Sequence, residues 1–536
     1  MSGTRKKAGS RARPVLSSMA PPLPLGKWDD RVSLRASIHI DYEKPGHDIS
    51  PLIYGHFIEE LGMCIQKGLW TPDGENPDHF LGGIRPEILE AARSINPSCI
   101  RWPGGCFADS YRWRDGIGPM GKRRTLPNKV WGRLGKRIGP DVTNQFGTDE
   151  FLRFCEEVGA EPMITANVGT ASPSEAGDWV DYCNAATDNR WGAERARSGR
   201  ERPYGTRYWF VGNEMWNPFE PGWCAAEDYA RRFLAHAREM RKRDPGLKLI
   251  AVGLPQDSNE WNRTVLRDAG EEVDYLSIHA YYPHFLFTFG PGKLLELFGY
   301  YWVLYGVSFF GKLLDRAGEA VQEYAPRGRD IKLTFDEWNL WYNFWDIIRT
   351  NYNLRDGLFC ASMLNGLMRR ADRIPIANIA QMINCVGIIF VDSRGVVITP
   401  SGWVFKMYTE NVGDRFLETR TDCDRITCKK TDLPVLNVTA SRDGQGEALS
   451  LFVVNQHLGE AITSEIKLSS FTPADEALVH ELYHADAFHY NTLSESEAVV
   501  PSTKPLRLAI DKGEVGSSFS YSFPPHSVTV ISIKRG

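Results

Sequence analysis

From about residue 50 to residue 400, short apolar runs ending in polar or glycine-rich turns alternate with longer amphipathic stretches. The runs are PLIYGHFIEE, SCIRWPGG, EPMITANVG, RYWFVGNE, KLIAVGLPQ, VDYLSIHAYY, IKLTFDEW and a weaker one at IPIANIAQMI. Between them lie segments such as GTDEFLRFCEEVGA and AAEDYARRFLAHAREMRKRD, whose apolar residues recur at three- and four-residue spacing and predict helices. Asp149 and Glu150 near the start of the first, and Arg241 to Arg243 at the end of the second, suit the helix dipole. Such strand–helix alternation predicts an α/β fold, a (β/α)₈ TIM barrel with some long loops, over residues 49–402. A doubly wound open sheet competes, but no phosphate-binding glycine fingerprint follows the first run.

After about residue 405 the pattern changes. LPVLNVTASRDG, ALSLFVVNQH, ITSEIKLSSF, DEALVHELYH, PLRLAI and SVTVISIKR are alternating or β-branched runs separated by Gly, Asp, Ser and Pro turns. They predict a C-terminal all-β sandwich, jelly-roll-like, over 403–536. RVSLRASIHID, within residues 29–48, is also strand-like and is expected to join that sandwich ahead of the barrel. Residues 1–28 contain no Asp or Glu and several Arg and Lys, fitting a disordered basic tail, with an organelle transit segment as the alternative.

Composition narrows the function classes. The chain has 536 residues, 42% hydrophobic and 24% charged, as expected of a globular protein too long for one core. A net charge of −4 offers no global basic field for nucleic acid. Sixteen Trp and twenty Tyr fit first a large aromatic core, with stacking on sugar rings as the functional alternative. The ten Cys show neither CxxC pairs nor metal-ligand spacing, which fits free thiols in a reducing compartment. No signal-peptide-length apolar core opens the chain, so a cytoplasmic location is expected. The uncharged run LFGYYWVLYGVSFFG (297–311) is short of the roughly 20 residues of a membrane span, and predicts a buried helix, a pocket wall or a subunit contact.

In a barrel, polar residues at the C-terminal ends of strands face the active-site mouth. That rule selects Glu59, Arg101, Asn167, Asn213, Glu214, His279, Tyr281, Asp336, Glu337, Gln381 and Asn384. Glu214 and Glu337 follow apolar strands directly, on the fourth and seventh strands at opposite sides of the mouth. Retaining hydrolysis of a glycosidic bond needs such a pair about 5 Å apart, one to protonate the leaving oxygen and one to attack the anomeric carbon. Glu214 is expected to be held protonated by burial and a nearby Glu337, with Glu337 ionised beside Arg101 and oriented by Tyr281. The plain alternative for either Glu is a salt-bridged rim residue.

YGHFIEELG, RWPGGCFADSYRWRDGIGP, FGTDEFLRFCEEVGAEPMITANVG, WFVGNEMW, LSIHAYY and LTFDEWNLWY together resemble the α-L-arabinofuranosidases of glycoside hydrolase family fifty-one. The resemblance implies a retaining, exo-acting enzyme that needs no metal or other cofactor and removes terminal α-L-arabinofuranosyl units from arabinose-containing glycans. It implies Glu214 as acid/base and Glu337 as nucleophile, with Glu59, Cys106, Asn213, Tyr281 and Gln381 on the sugar and Arg101 and His279 supporting the carboxylates. It also implies a homo-oligomer, often hexameric. Another furanoside, a galactofuranoside or D-arabinofuranoside, or a β-glucan remains open as substrate, and a non-catalytic glycan-binding barrel is the reading from a different class. Two segments depart from the family pattern. PHFLFTFGPGKLLELFGYYWVLYGVSFFG stands where relatives carry a polar loop, and GKRRTLPNKVWGRLGKRIGP is strongly basic, either a solvated loop or a subsite for acidic or phosphorylated glycans.

Overall fold

A computed structural model describes residues 34–71, 82–255, 259–283, 293–348, 352–428, 431–513 and 516–536. The expected basic tail at 1–28 lies outside the described residues, as do 284–292 of the apolar segment.

The chain opens with strand β1 (Ala36–Asp48), and eight parallel strands then close into a barrel. They are β2 (Gly55–Phe57), β3 (Cys99–Trp102), β4 (Glu161–Ala166), β5 (Tyr208–Val211), β6 (Lys248–Val252), β7 (Tyr275–Tyr282), β8 (Lys332–Leu340) and β9 (Ile376–Ala380), with β9 pairing back onto β2. Each corresponds to one of the apolar runs. The connecting helices are α1 (Pro86–Ser94), α2 (Thr148–Val158), α3 (Pro173–Asn184), α4 (Arg190–Arg197), α5 (Ala226–Arg243), α6 (Glu260–Ala269), α7 (Lys293–Tyr324) and α8 (Leu354–Met368). No described helix is long and apolar enough to cross a membrane.

Strand alternation sorts the barrel interior into layers. Cys99, Met163, Tyr208, Phe210, Ile250 and Ile376 form an apolar cluster. Two residues further along β3 and β4 the same faces carry Arg101 and Thr165, which hydrogen-bond at 3.2 Å. The apolar layer thus gives way to a polar one as the strands approach their C-terminal ends.

Hairpin β10 (Ile389–Asp392) and β11 (Gly395–Ile398) and helix α9 (Pro400–Asn411) lead out of the barrel. Next come β12 (Arg415–Cys423), β13 (Arg425–Cys428), β14 (Thr431–Pro434), β15 (Leu436–Arg442), β16 (Ala448–Asn455) and β17 (Ile462–Ser469). The chain ends with β18 (Pro473–Leu482), β19 (Ser502–Arg507), β20 (Asp511–Gly513), β21 (Gly516–Phe523) and β22 (Ser527–Arg535). This β-sandwich domain is hydrogen-bonded in the order β19-β18-β22-β16-β15-β12-β1-β17-β21-β20. β1 lies between β12, antiparallel, and β17, parallel, and alternation buries its Ile38, Ile40 and Tyr42. The barrel helices meet this sheet through Asn365 of α8, which donates to Asn437 of β15, and Tyr408 of α9, whose ring centroid lies 4.7 Å from that of Phe452.

Candidate active site

Glu337 sits on β8 and Glu214 three residues past the end of β5. A β-bulge decides what β8 presents. Ser277 pairs with Thr334 but His279 with Glu337, so β8 carries one extra residue. That slip brings the consecutive Asp336 and Glu337, which a regular strand would send to opposite faces, both within reach of His279. His279 Nε2 donates to Asp336 at 2.9 Å, and its Nδ1 lies 2.9 Å from Glu214 Oε1 and 3.6 Å from Glu337 Oε1. Ligand-type atoms of Glu214, His279 and Glu337 all lie within 4.8 Å of one another.

Arg101 organises the opposite side. It is fully buried, with Nη1 2.6 Å from Glu337 Oε1 and 3.3 Å from Asp336, and Nη2 donating to Asn213 Oδ1 at 2.7 Å. Its guanidinium lies over Phe57 and Phe210, at 5.0 and 4.4 Å, which excludes water from the pair. Tyr281 donates to the second oxygen of Glu337 at 2.9 Å. Gly105 is required by this crowding: a Cβ there would stand 2.7 Å from Glu337 Oε1.

Glu214 follows Gly212 and Asn213 in a tight turn and adopts φ +38°, a left-handed conformation uncommon for a non-glycine residue. Asp109 holds that turn. Buried under the site, it accepts from the backbone N–H of Asn213 at 2.8 Å and from those of Val168 and Gly169 at 2.8 and 2.9 Å, tying the ends of β4 and β5 to the turn after β3. Asn213 also donates to Glu220 at 2.9 Å, and Asn217 donates to Glu214 Oε2 at 3.0 Å.

Glu59 forms the far wall. Its Oε1 accepts from Phe107 N–H and Trp131 Nε1, both at 2.9 Å, and its Oε2 from Gln381 at 3.3 Å. Gln381 Oε1 is buried with no hydrogen-bond partner among the described residues, an acceptor aimed where a ligand hydroxyl can reach. Cys106 lines the same cavity, and burial keeps its thiol far above the ordinary range, so it is a neutral S–H.

The electrostatics differ from the sequence expectation in one respect. Burial opposes the charge on His279, but Glu337 and Asp336 outweigh it and lift its pKa to about 10. Burial favours protonated Glu214, yet the hydrogen bond and charge of His279 overcome that and pull its carboxyl below the usual range. The proton expected on Glu214 therefore rests on His279, hydrogen-bonded to it. Glu59 behaves oppositely: burial, then the Glu337 charge, push it up to about 7 against its hydrogen bonds.

All nine residues singled out from the sequence as catalytic, sugar-binding or supporting therefore meet in or directly beneath one cavity of about 780 Å³. Asn167 and Asn384 serve loops instead: Asn167 closes the turn to Thr170 and Ala171, and Asn384 bonds Met63 O and Val391 N–H. Sequence reasoning did not single out Asp109, Trp131 or Glu220. Asp109 lies in the RWPGGCFADSYRWRDGIGP segment already noted, and Glu220 four residues past the end of WFVGNEMW. Trp131 lies in the basic segment, which meets the cavity through Trp131 and Leu134 while Arg123 pairs with Glu150 and Lys136 with Asp141.

Two family models match the chain, an alpha-L-arabinofuranosidase 1 domain over residues 91–288 and an alpha-L-arabinofuranosidase C-terminal domain over 336–527. An intracellular exo-alpha-L-arabinofuranosidase of Bacteroides ovatus is 30% identical over 519 residues, covering 94% of this chain and 96% of that one. The alpha-L-arabinofuranosidase of Thermotoga maritima, solved as an arabinose complex, superposes with a TM-score of 0.83 at 30% identity, covering 93% of this chain and all of that one. A thermostable family fifty-one alpha-L-arabinofuranosidase of Thermotoga petrophila gives a TM-score of 0.82 at 31% identity over 94% of this chain and 100% of that one. Carrying both domains of these proteins in the same order along nearly its whole length, the chain belongs to the α-L-arabinofuranosidases of glycoside hydrolase family fifty-one.

Proposed function

We propose that the protein releases terminal α-L-arabinofuranosyl units from arabinose-containing glycans or glycosides with retention, Glu337 acting as nucleophile and Glu214 as acid/base. The observation that carries this reading is the carboxylate pair itself. Oxygens of Glu214 and Glu337 approach within 4.8 Å, close to the roughly 5–5.5 Å of retaining enzymes and too close to admit the water of an inverting one. In the first step Glu337 attacks the anomeric carbon, the bond to the leaving oxygen breaks, and that oxygen takes the one proton of the pair, passed from His279 through Glu214, which is left ionised with His279 neutral. In the second, Glu214 takes a proton from water as it attacks the same carbon and Glu337 departs. Arg101 and Tyr281, one on each oxygen of Glu337, hold the nucleophile in orientation. Glu59, Cys106 and Gln381 line the cavity and offer partners for the hydroxyls of a terminal unit, with Asn213 held by Arg101.

A panel of aryl furanosides and pyranosides, assayed with wild type, Glu214→Ala and Glu337→Ala, tests the assignment. Turnover of α-L-arabinofuranosides by wild type and its near-abolition in Glu337→Ala are expected; near-native activity in Glu337→Ala contradicts the nucleophile. The free thiols among the described residues and the naming of the Bacteroides ovatus relative as intracellular support a cytoplasmic location. We read the protein further as a homo-oligomer, hexameric by family resemblance, to be checked by light scattering.

A further inference from the structure

Away from its polar floor the catalytic cavity changes character. Its volume of about 780 Å³ is of the size that takes a drug-sized ligand, well beyond one pentose. Apart from the catalytic and sugar-binding residues named above and Asn217, which is committed to Glu214, every described side chain lining it is apolar or aromatic. The indole donors are spent as well. Trp131 donates to Glu59, Trp216 to Gly253 O at 3.0 Å and Trp341 to Asn343 O at 2.8 Å.

Helix α7 supplies part of this wall. Phe309 and Leu313, four residues apart, share one helix face and line the cavity. The adjacent Phe310 is buried against Phe335 and Phe359, with ring centroids 5.4 and 5.9 Å apart, which anchors the helix to the barrel. Gly306 allows the close approach: a Cβ there would stand 2.6 Å from the Tyr282 ring. Phe309 is left 40% exposed, a large apolar ring on the lining of the cavity that holds the catalytic carboxylates. Trp341 is held on edge against Tyr281 at 5.1 Å, so that wall is fixed before any ligand arrives.

A sugar bound there would lose water from its hydroxyls and find few side-chain partners, whereas an apolar group would gain from burial. We infer that the leaving-group side of the site takes an apolar aglycone, an aryl, alicyclic or terpenoid alcohol, in preference to a further sugar, with Phe309 and Leu313 as specificity-determining residues. This inference rests on the arabinofuranosidase reading above.

The test compares kcat/KM for three arabinofuranosides that release primary alcohols: methyl, cyclohexylmethyl and the α-1,5-linked arabinobiose. Similar leaving groups keep the chemistry comparable, so differences report binding of the aglycone. The cyclohexylmethyl glycoside is expected to exceed the other two by at least about tenfold. Phe309→Asn and Leu313→Asn should each bring the cyclohexylmethyl-to-methyl ratio toward one, while Phe309→Leu largely preserves it; thermal melting confirms that each variant is folded. Arabinobiose cleaved as well as the cyclohexylmethyl glycoside, or a ratio unchanged in both Asn variants, overturns the inference. Failure to cleave any of the three overturns the arabinofuranosidase reading and this inference with it.

Discussion

Replacing Asp336 with Asn separates the acid/base carboxyl from the charge that stocks its proton. His279 lies 2.9 Å from Asp336 and from Glu214 and 3.6 Å from Glu337, so three carboxylates surround its ring. The rise of its pKa from 6.5 to about 10 corresponds to about 5 kcal/mol of preference for the imidazolium. Asp336→Asn keeps an oxygen for Nε2 and deletes one of the three charges. A unit charge about 4 Å away contributes about 4 kcal/mol at an effective dielectric constant near 20, about three pK units, so even with most of it screened the deletion lowers the pKa by about one unit. The Glu214–His279 pair must hold one proton to expel a poor leaving group, and the alkaline limb of kcat/KM follows the loss of that proton. Because the variant gives it up at lower pH, the limb should move toward neutrality by about one unit or more. An alkyl arabinofuranoside, whose departure needs protonation, is the substrate to use. A limb that stays fixed or moves to higher pH would refute the proton store.

Three further outcomes follow from the same geometry. Glu59 is raised in the folded state to about 7 from an unfolded value near 4.5, so the native protein binds more protons in that window and loses stability as pH rises through it. Glu59→Gln should therefore melt higher than wild type at pH 8, by up to about 3 kcal/mol, with the gain shrinking toward pH 4.5 and KM raised; equal melting at both pH values would contradict this. Trp131→Phe removes one of two donors to Glu59 Oε1, and a hydrogen bond to a charged group contributes about 1.5–3 kcal/mol, so kcat/KM should fall about tenfold or more at neutral pH. Glu214→Ala should lose about 10²–10⁴-fold on alkyl glycosides and far less on dinitrophenyl ones; equal losses on both would argue against acid catalysis.

The barrel was legible because its strands are apolar runs that end in polar or glycine-rich turns, and Glu214 and Glu337 needed no more than the strand-end rule. Periodicity could not reveal the bulge in β8, because one inserted residue leaves the sequence TFDEW looking like an ordinary strand. Asp109 and Trp131 escaped for a different reason: they reach the site from loops, where strand-end reasoning has no purchase. Trp131 was further hidden inside a segment read for its charge. In the sandwich, β21 (GSSFSYSF) is not among the strand-like runs read from the sequence, although Phe519, Tyr521 and Phe523 alternate and are buried. The protonation of Glu214 was misjudged because burial and Glu337 were weighed without the 2.9 Å contact to His279, a distance no sequence supplies.

The central claim is that Glu337 attacks and Glu214 handles the proton, and the configuration of the glycosyl azide formed by rescued variants tests it most directly. With an activated aryl α-L-arabinofuranoside and azide, Glu337→Ala should yield the β-azide, since azide replaces the missing nucleophile and inverts the centre once. Glu214→Ala should yield the α-azide, because azide then opens the intermediate on Glu337 and the centre is inverted twice. The opposite pairing of products, or an α-azide from both variants, would contradict the account.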